Sequence, residues 1–247
     1  MSYKIAIASG KGGTGKTTVA VNLYRYILDH LEPDTLLVDC DVEEPDDALF
    51  FKNAKNKAQQ AVDQMVPEID PDACTFCRRC VEYCEFNAIT VIPPAQFAQV
   101  NTELCHSCGA CKYACPENAI TEKPFSIGKI NQYELDKGPG LTEGLLNVGS
   151  AMQTPVIRKL KKETENKASL ILYDAPPGTS CPVVSTLADV DYVILVTEPT
   201  PFGFHDLKLT LDLVAEMNLP HGVVINKAGL GNTEVYDYLQ EHNIPLL

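Results

Sequence analysis

The sequence predicts an α/β chain in which a mostly parallel, helix-covered sheet is interrupted by a small α+β module. Three observations lead there. An apolar strand at the N-terminus runs into a glycine-rich loop and a helix; several short Val/Ile/Leu runs end in Asp or Asn; and two copies of one cysteine run occupy the middle of the chain. Near-continuous apolar runs are the mark of strands buried on both faces, and their alternation with helices gives a parallel sheet.

The first element is Ile5-Ala6-Ile7-Ala8, followed by Ser9-Gly10-Lys11-Gly12-Gly13-Thr14-Gly15-Lys16-Thr17-Thr18 and the helical Val19-Ala20-Val21-Asn22-Leu23. Gly10-x4-Gly15-Lys16-Thr17 is a P-loop match between a strand and a helix, the context such a loop requires. Its glycines let backbone N–H groups turn inward on phosphates at a helix N-terminus, so Gly10 through Thr18 form a candidate nucleotide site. Lys16 is placed to reach the terminal phosphates, and the Thr17 hydroxyl to meet Mg2+.

The second strand, Thr35-Leu36-Leu37-Val38, ends in Asp39-Cys40-Asp41, and a third, Ser169 to Tyr173, ends in Asp174-Ala175-Pro176-Pro177-Gly178. Ligands of open α/β sheets bind beyond the carboxyl ends of the strands, where these aspartates stand. An isolated Asp there is an ordinary turn or helix-cap residue; three strand ends after a P-loop favour a Mg2+ site at Thr17, Asp39 and Asp174. Gly178 is expected to offer a backbone N–H to a γ-phosphate. Two further strands are expected at Tyr192–Thr197 and Gly222–Asn226, with a crossover helix over Asp206–Met217. Asn226, at a strand end, is a candidate for an adenine edge.

The cysteine runs are Cys74-x2-Cys77-x2-Cys80-x3-Cys84 and Cys105-x2-Cys108-x2-Cys111-x3-Cys115-Pro116, and each continues into Asn-Ala-Ile-Thr. This is the spacing of a ferredoxin with two [4Fe-4S] clusters, in which the fourth cysteine of each run ligates the other cluster. One set is therefore Cys74, Cys77, Cys80 and Cys115, and the other Cys105, Cys108, Cys111 and Cys84. A disulfide framework suits a short secreted chain, and no leader pattern opens this one. Zinc usually takes two separated pairs rather than four cysteines within eleven residues. Glu85 replaces the proline that follows the second run, and His106 reads as an exposed loop residue. Residues 68–123 form the expected inserted domain, flanked by 1–67 and 124–247. Cys40 reads as a buried thiol. Cys181 reads as a packed one.

The chain has 247 residues, 45% apolar and 21% charged, with 33 acidic against 20 basic residues and a formal charge of −13. Nothing in that balance suits a nucleic-acid-binding face. A basic patch on a redox or cluster-accepting partner would complement it. No stretch approaches the roughly 20 apolar residues that span a bilayer, so a cytoplasmic protein without integral membrane contact is expected.

Lys11 in Gly-Lys-Gly-Gly-Thr-Gly-Lys-Thr resembles the signature lysine of the deviant P-loop ATPases, the group of MinD, ParA, the Mrp-type carriers and, more distantly, the nitrogenase iron protein. The resemblance extends along the chain, closest to MinD-superfamily ATPases with an inserted ferredoxin domain. It implies a homodimer sandwiching two ATP molecules, with Lys11 reaching the partner's nucleotide. It also implies catalysis by Lys11, Lys16 and a water-orienting Asp41 in the first switch, and a second switch at Asp174–Gly178. Similarity to the nitrogenase iron protein implies, as an alternative for Cys181, a cluster shared between two copies. The expected cofactors are ATP/ADP, Mg2+ and two [4Fe-4S] clusters.

Two functions fit these expectations. One couples slow ATP hydrolysis to electron transfer or cluster handling. The alternative is a MinD/ParA-like spatial or regulatory switch in which the ferredoxin senses redox state or scaffolds a partner. The chain stops at Ile244-Pro245-Leu246-Leu247, where a further strand is expected to start.

Overall fold

In the computed structural model, residues 2–31 and 34–247 are described. They divide into two units: unit 1 comprises 1–60, 129–145 and 153–247, and unit 2 comprises 61–128 and 146–152. Among the described residues no helix is long and apolar enough to cross a membrane.

Unit 1 starts with β1 (Tyr3–Ala8) and α1 (Lys16–His30), separated by the glycine loop. Gly15 has φ 90°, a conformation that glycine adopts without steric cost, and turns the chain into α1. α1 buries Lys16, Ala20, Val21, Tyr24 and Ile27, a helical stripe packed against the sheet with Ile7, Leu37, Leu141 and Leu172. Each such aliphatic side chain contributes roughly 1.5–3 kcal/mol on burial. β2 (Thr35–Asp39) is buried along its whole length. β3 (Lys55–Ile69) follows, then, after the cysteine runs, β6 (Ile120–Glu134) and β7 (Leu141–Leu146). α4 (Gln153–Thr164), β8 (Leu170–Asp174), α5 (Cys181–Leu187), β9 (Tyr192–Thr197), α6 (Pro201–Glu216), β10 (His221–Ile225) and α7 (Glu234–Glu241) complete the chain.

The strand order is β10-β9-β1-β8-β2-β7-β6-β3, with β10/β9, β9/β1, β1/β8, β8/β2 and β2/β7 parallel. Strands β3 and β6 contribute residues to both units. Register sets the site: Ile7 and Asp39 both lie opposite Asp174, so three neighbouring strands end together. The expected strands are present. The crossover helix begins five residues earlier than its apolar period indicated, because Thr200 Oγ1 accepts from Gly203 N at 3.1 Å and Pro201 opens the first turn. Beyond α7, Val223 and Leu246 form a parallel bridge.

In unit 2 the two cysteine runs adopt one backbone twice. Phe76 and Ser107 have φ 54° and 53°, Arg78 and Gly109 have φ 69° and 73°, and Asn87 and Asn118 have φ 52° and 53°. The left-handed Arg78 and Gly109 precede short helices α2 (Arg79–Glu82) and α3 (Ala110–Ala114), which carry the third cysteine of each run. The Asn-Ala-Ile-Thr tails lead into β4 (Ile89–Ile92) and β6. β4 pairs antiparallel with β5 (Phe97–Val100).

Candidate nucleotide and cluster sites

In unit 1 the glycine loop closes over the carboxyl ends of β1, β8 and β2. Lys16 Nζ donates to Asp174 Oδ1 at 2.7 Å and Thr17 Oγ1 to Asp174 Oδ2 at 2.8 Å. Burial alone would lower the Lys16 ammonium, but the charge and hydrogen bond of Asp174 hold it above its ordinary value. Asp39 is fully buried and caps the following loop: Oδ1 accepts from Asp41 N at 3.0 Å, and Oδ2 from Asp46 N and Asp47 N at 3.0 and 3.1 Å. Burial, then the neighbouring Asp174 charge, pushes the Asp39 carboxyl well up. Asp41 is half-buried, and desolvation raises it to about 6.

The remaining loop residues are tied down on the side of β9 and β10. Lys11 Nζ donates to Glu198 Oε1 at 2.6 Å. Lys227 Nζ donates to Glu198 Oε2 at 2.8 Å and to the Gly13 carbonyl at 2.9 Å. Hydrogen bonds from both lysines hold the Glu198 carboxyl down to about 2. Asn226 Nδ2 donates to the Thr14 carbonyl at 2.8 Å, and its Oδ1 accepts from Lys227 N at 2.9 Å, so this amide braces the loop. A Cβ on Gly15 would stand 2.2 Å from Asn226 Nδ2, and one on Gly10 2.3 Å from the Asp206 carbonyl, so both glycines are required by close approach. Gly12 is exposed and Thr18 faces solvent at the start of α1, while the Thr14 hydroxyl is buried without a partner. Gly178 has φ 95°, and its N–H donates to the Ser9 carbonyl at 2.9 Å, a bond that must open before it can meet a phosphate.

Asp47, Glu198 and Lys227 were not singled out in the sequence. Glu198 and Lys227 stand just past β9 and β10, where the strand-end rule that selected Asp174 applies equally. Asp47 lies in a 3-10 turn, Asp47–Phe50, with no local signal. Cys40 is fully buried as expected. Cys181 departs from expectation: it is exposed, because α5 turns Val183, Thr186 and Leu187 to the interior and leaves its first residue outside.

In unit 2 the cysteines fall into two cavities by the crossed sets. One is lined by Cys74, Cys77, Cys80 and Cys115 with Phe76, Val91 and Ile120. The other is lined by Cys84, Cys105, Cys108 and Cys111 with Ile89 and Phe86. Among the described residues all ten cysteines are free of disulfides. Backbone N–H groups point at four sulfurs in matched pairs: Phe76 N on Cys74 Sγ and Ser107 N on Cys105 Sγ at 3.4 Å, Ala88 N on Cys84 Sγ at 3.4 Å and Ala119 N on Cys115 Sγ at 3.3 Å. Four thiols around an apolar hollow, with amides aimed at the sulfurs, suit a [4Fe-4S] group, whose potential such bonds tune. Burial pushes the Cys111 thiol to about 11, so ligation there would release a proton. His106 is exposed but stacks on Phe86, with ring centroids 3.7 Å apart.

A family model for the CobQ/CobB/MinD/ParA nucleotide-binding domain matches residues 5–247. The chain belongs to that family. The CobQ/CobB/MinD/ParA domain spans the whole α/β sheet and its glycine loop. An uncharacterized protein of Methanocaldococcus jannaschii, MJ0578, is 36% identical over 243 residues, covering 98% of this chain and 84% of its own. Two solved structures share the family fold. The cell division ATPase MinD of Pyrococcus furiosus superposes with a TM-score of 0.58 at 19% identity, covering 100% of this chain and 81% of its own. The septum site-determining protein MinD of Pyrococcus horikoshii, complexed with Mg-ADP, gives 0.55 at 19% identity, with 100% and 79% covered.

Proposed function

We propose that this chain is a MgATP-driven switch ATPase of the MinD/ParA kind whose unit 2 holds two [4Fe-4S] clusters that sense redox state or scaffold a partner. The observation that carries the ATPase half is the convergence of Lys16, Thr17, Asp39 and Asp174 at the glycine loop. In this reading Thr17, Asp39 and Asp174 hold Mg2+ directly or through water, and Lys16 moves from Asp174 to the phosphates. Gly178 donates to the γ-phosphate, and Asp41 orients the attacking water. Lys11 reaches the nucleotide of a second copy in an ATP-sandwich homodimer. Residues 68–123 act as an inserted ferredoxin, the rest of the chain as the ATPase.

The second reading, coupling of ATP to electron transfer or cluster handling, is favoured by Cys77 and Cys108. Each is the exposed thiol of its set, open to a redox or cluster-accepting partner with a basic docking face. A cytoplasmic setting fits both.

The test is anaerobic purification followed by three measurements: iron per chain, dimerisation with ATP, and ATP-dependent electron delivery from the reduced protein to a soluble acceptor. Iron near zero removes the cluster half and leaves the ATPase. Absence of an ATP-dependent dimer removes the switch. Electron delivery that follows hydrolysis selects the second reading.

A further inference from the structure

Asp47 is a fully buried carboxylate. It is 0% exposed, its N–H donates to Asp39 Oδ2 at 3.1 Å, and neither of its carboxylate oxygens has a hydrogen-bond partner among the described residues. An unpaired buried charge costs several kcal/mol, so a residue of this kind needs a counter-charge or a proton. One ligand oxygen from each of Asp39, Asp47 and Asp174 lies within 4.8 Å of the others. The one ammonium hydrogen-bonded within that group is Lys16, engaged by Asp174.

The charge count changes when nucleotide arrives. In the MgATP reading, on which this inference rests, Lys16 leaves Asp174 for the phosphates. Three carboxylates then face a polyphosphate with no cation between them, and like charges at such distances in a buried setting repel strongly. A divalent cation is the group that answers this. Mg2+ takes one or two carboxylates and keeps several waters, so a third carboxylate serves by holding a metal-bound water. We propose that Asp47 is the third carboxylate of the divalent-cation site, beside Asp39 and Asp174, and that it makes nucleotide binding depend on the cation.

The test is the dissociation constant of ADP, measured calorimetrically on the whole protein with saturating Mg2+ and again in EDTA. Asp47→Asn and Asp47→Ser are compared with wild type, and exposed Glu44→Gln serves as a surface control. The ratio of the two constants reports the coupling of cation to nucleotide. Both Asp47 variants are expected to bind ADP more weakly with Mg2+ and equally or more tightly in EDTA, shrinking the ratio by about 10- to 100-fold. A merely structural role weakens binding in both conditions, and a proton shared between Asp39 and Asp47 leaves both constants unchanged; either result overturns the proposal while the ATPase reading stands. Wild-type protein that binds no ADP with Mg2+ overturns both.

Discussion

Lys11 and Glu198, 187 residues apart in sequence, meet at 2.6 Å, and Lys227 closes on the other carboxylate oxygen at 2.8 Å. The ammonium proposed to reach a second copy's nucleotide is thus held within its own chain. Glu198→Gln is expected to release it. A partly exposed ion pair is worth about 0.2–1 kcal/mol, so half-maximal ATP-dependent dimerisation should need up to about 5-fold less nucleotide, read by light scattering. Lys11→Ala should abolish the dimer. A Glu198→Gln protein that needs more ATP than wild type would rule the restraint out.

The basal ATPase should lose activity on acidification with a midpoint near 6. Burial raises Asp41 to about that value from its ordinary 3.8. The ionised carboxylate is the stronger acceptor and the form that can take a proton from the attacking water, so the rate rises with pH through the folded value. Asp41→Asn should give a low and flat profile. The same shift has a sign for stability: the native chain holds this proton more tightly than the unfolded chain, so Asp41 costs stability progressively as pH climbs from about 3.8 to about 6. Asp41→Asn should therefore melt higher than wild type at pH 7 and together with it near pH 3.5.

The crossing of the cysteine sets is open to a pairing experiment on anaerobic protein. Cys74→Ser and Cys115→Ser line one cavity, so they should remove the same paramagnetic signal and half of the iron. Cys84→Ser and Cys105→Ser should remove the other. If Cys84→Ser instead matched Cys74→Ser, each run would serve its own cluster.

What could be read from the sequence was what lies close along it. The P-loop, the aspartates at strand ends and the doubled cysteine run are each contiguous, and Lys16, Thr17, Asp39 and Asp174 meet because parallel register lines up the strands that carry them. Strand β7 was hidden because Gly144 and Glu143 break its apolar pattern. Gly144 makes room for Val42 and Val156, and buried Glu143 accepts from Asn131 Nδ2 and Tyr133 Oη, both at 2.8 Å. Asp47 was illegible for another reason: the acidic stretch Glu43 to Asp47 gives no sign of which carboxylate turns inward.

The two cysteine loops repeat in spacing, but two of the three residue pairs that bear their left-handed turns differ. At one such position the second loop has Gly109 and the first has Arg78, whose side chain makes φ 69° costly by about 1–2 kcal/mol. The halves of unit 2 are therefore mechanically unequal: the first is sprung at Arg78, and the second is relaxed at Gly109. Under slow exposure to air the cluster of Cys74, Cys77, Cys80 and Cys115 should be shed first, and Arg78→Gly should bring its lifetime up to that of its twin. Simultaneous decay of the two signals in wild-type protein would show that the spring carries no tension.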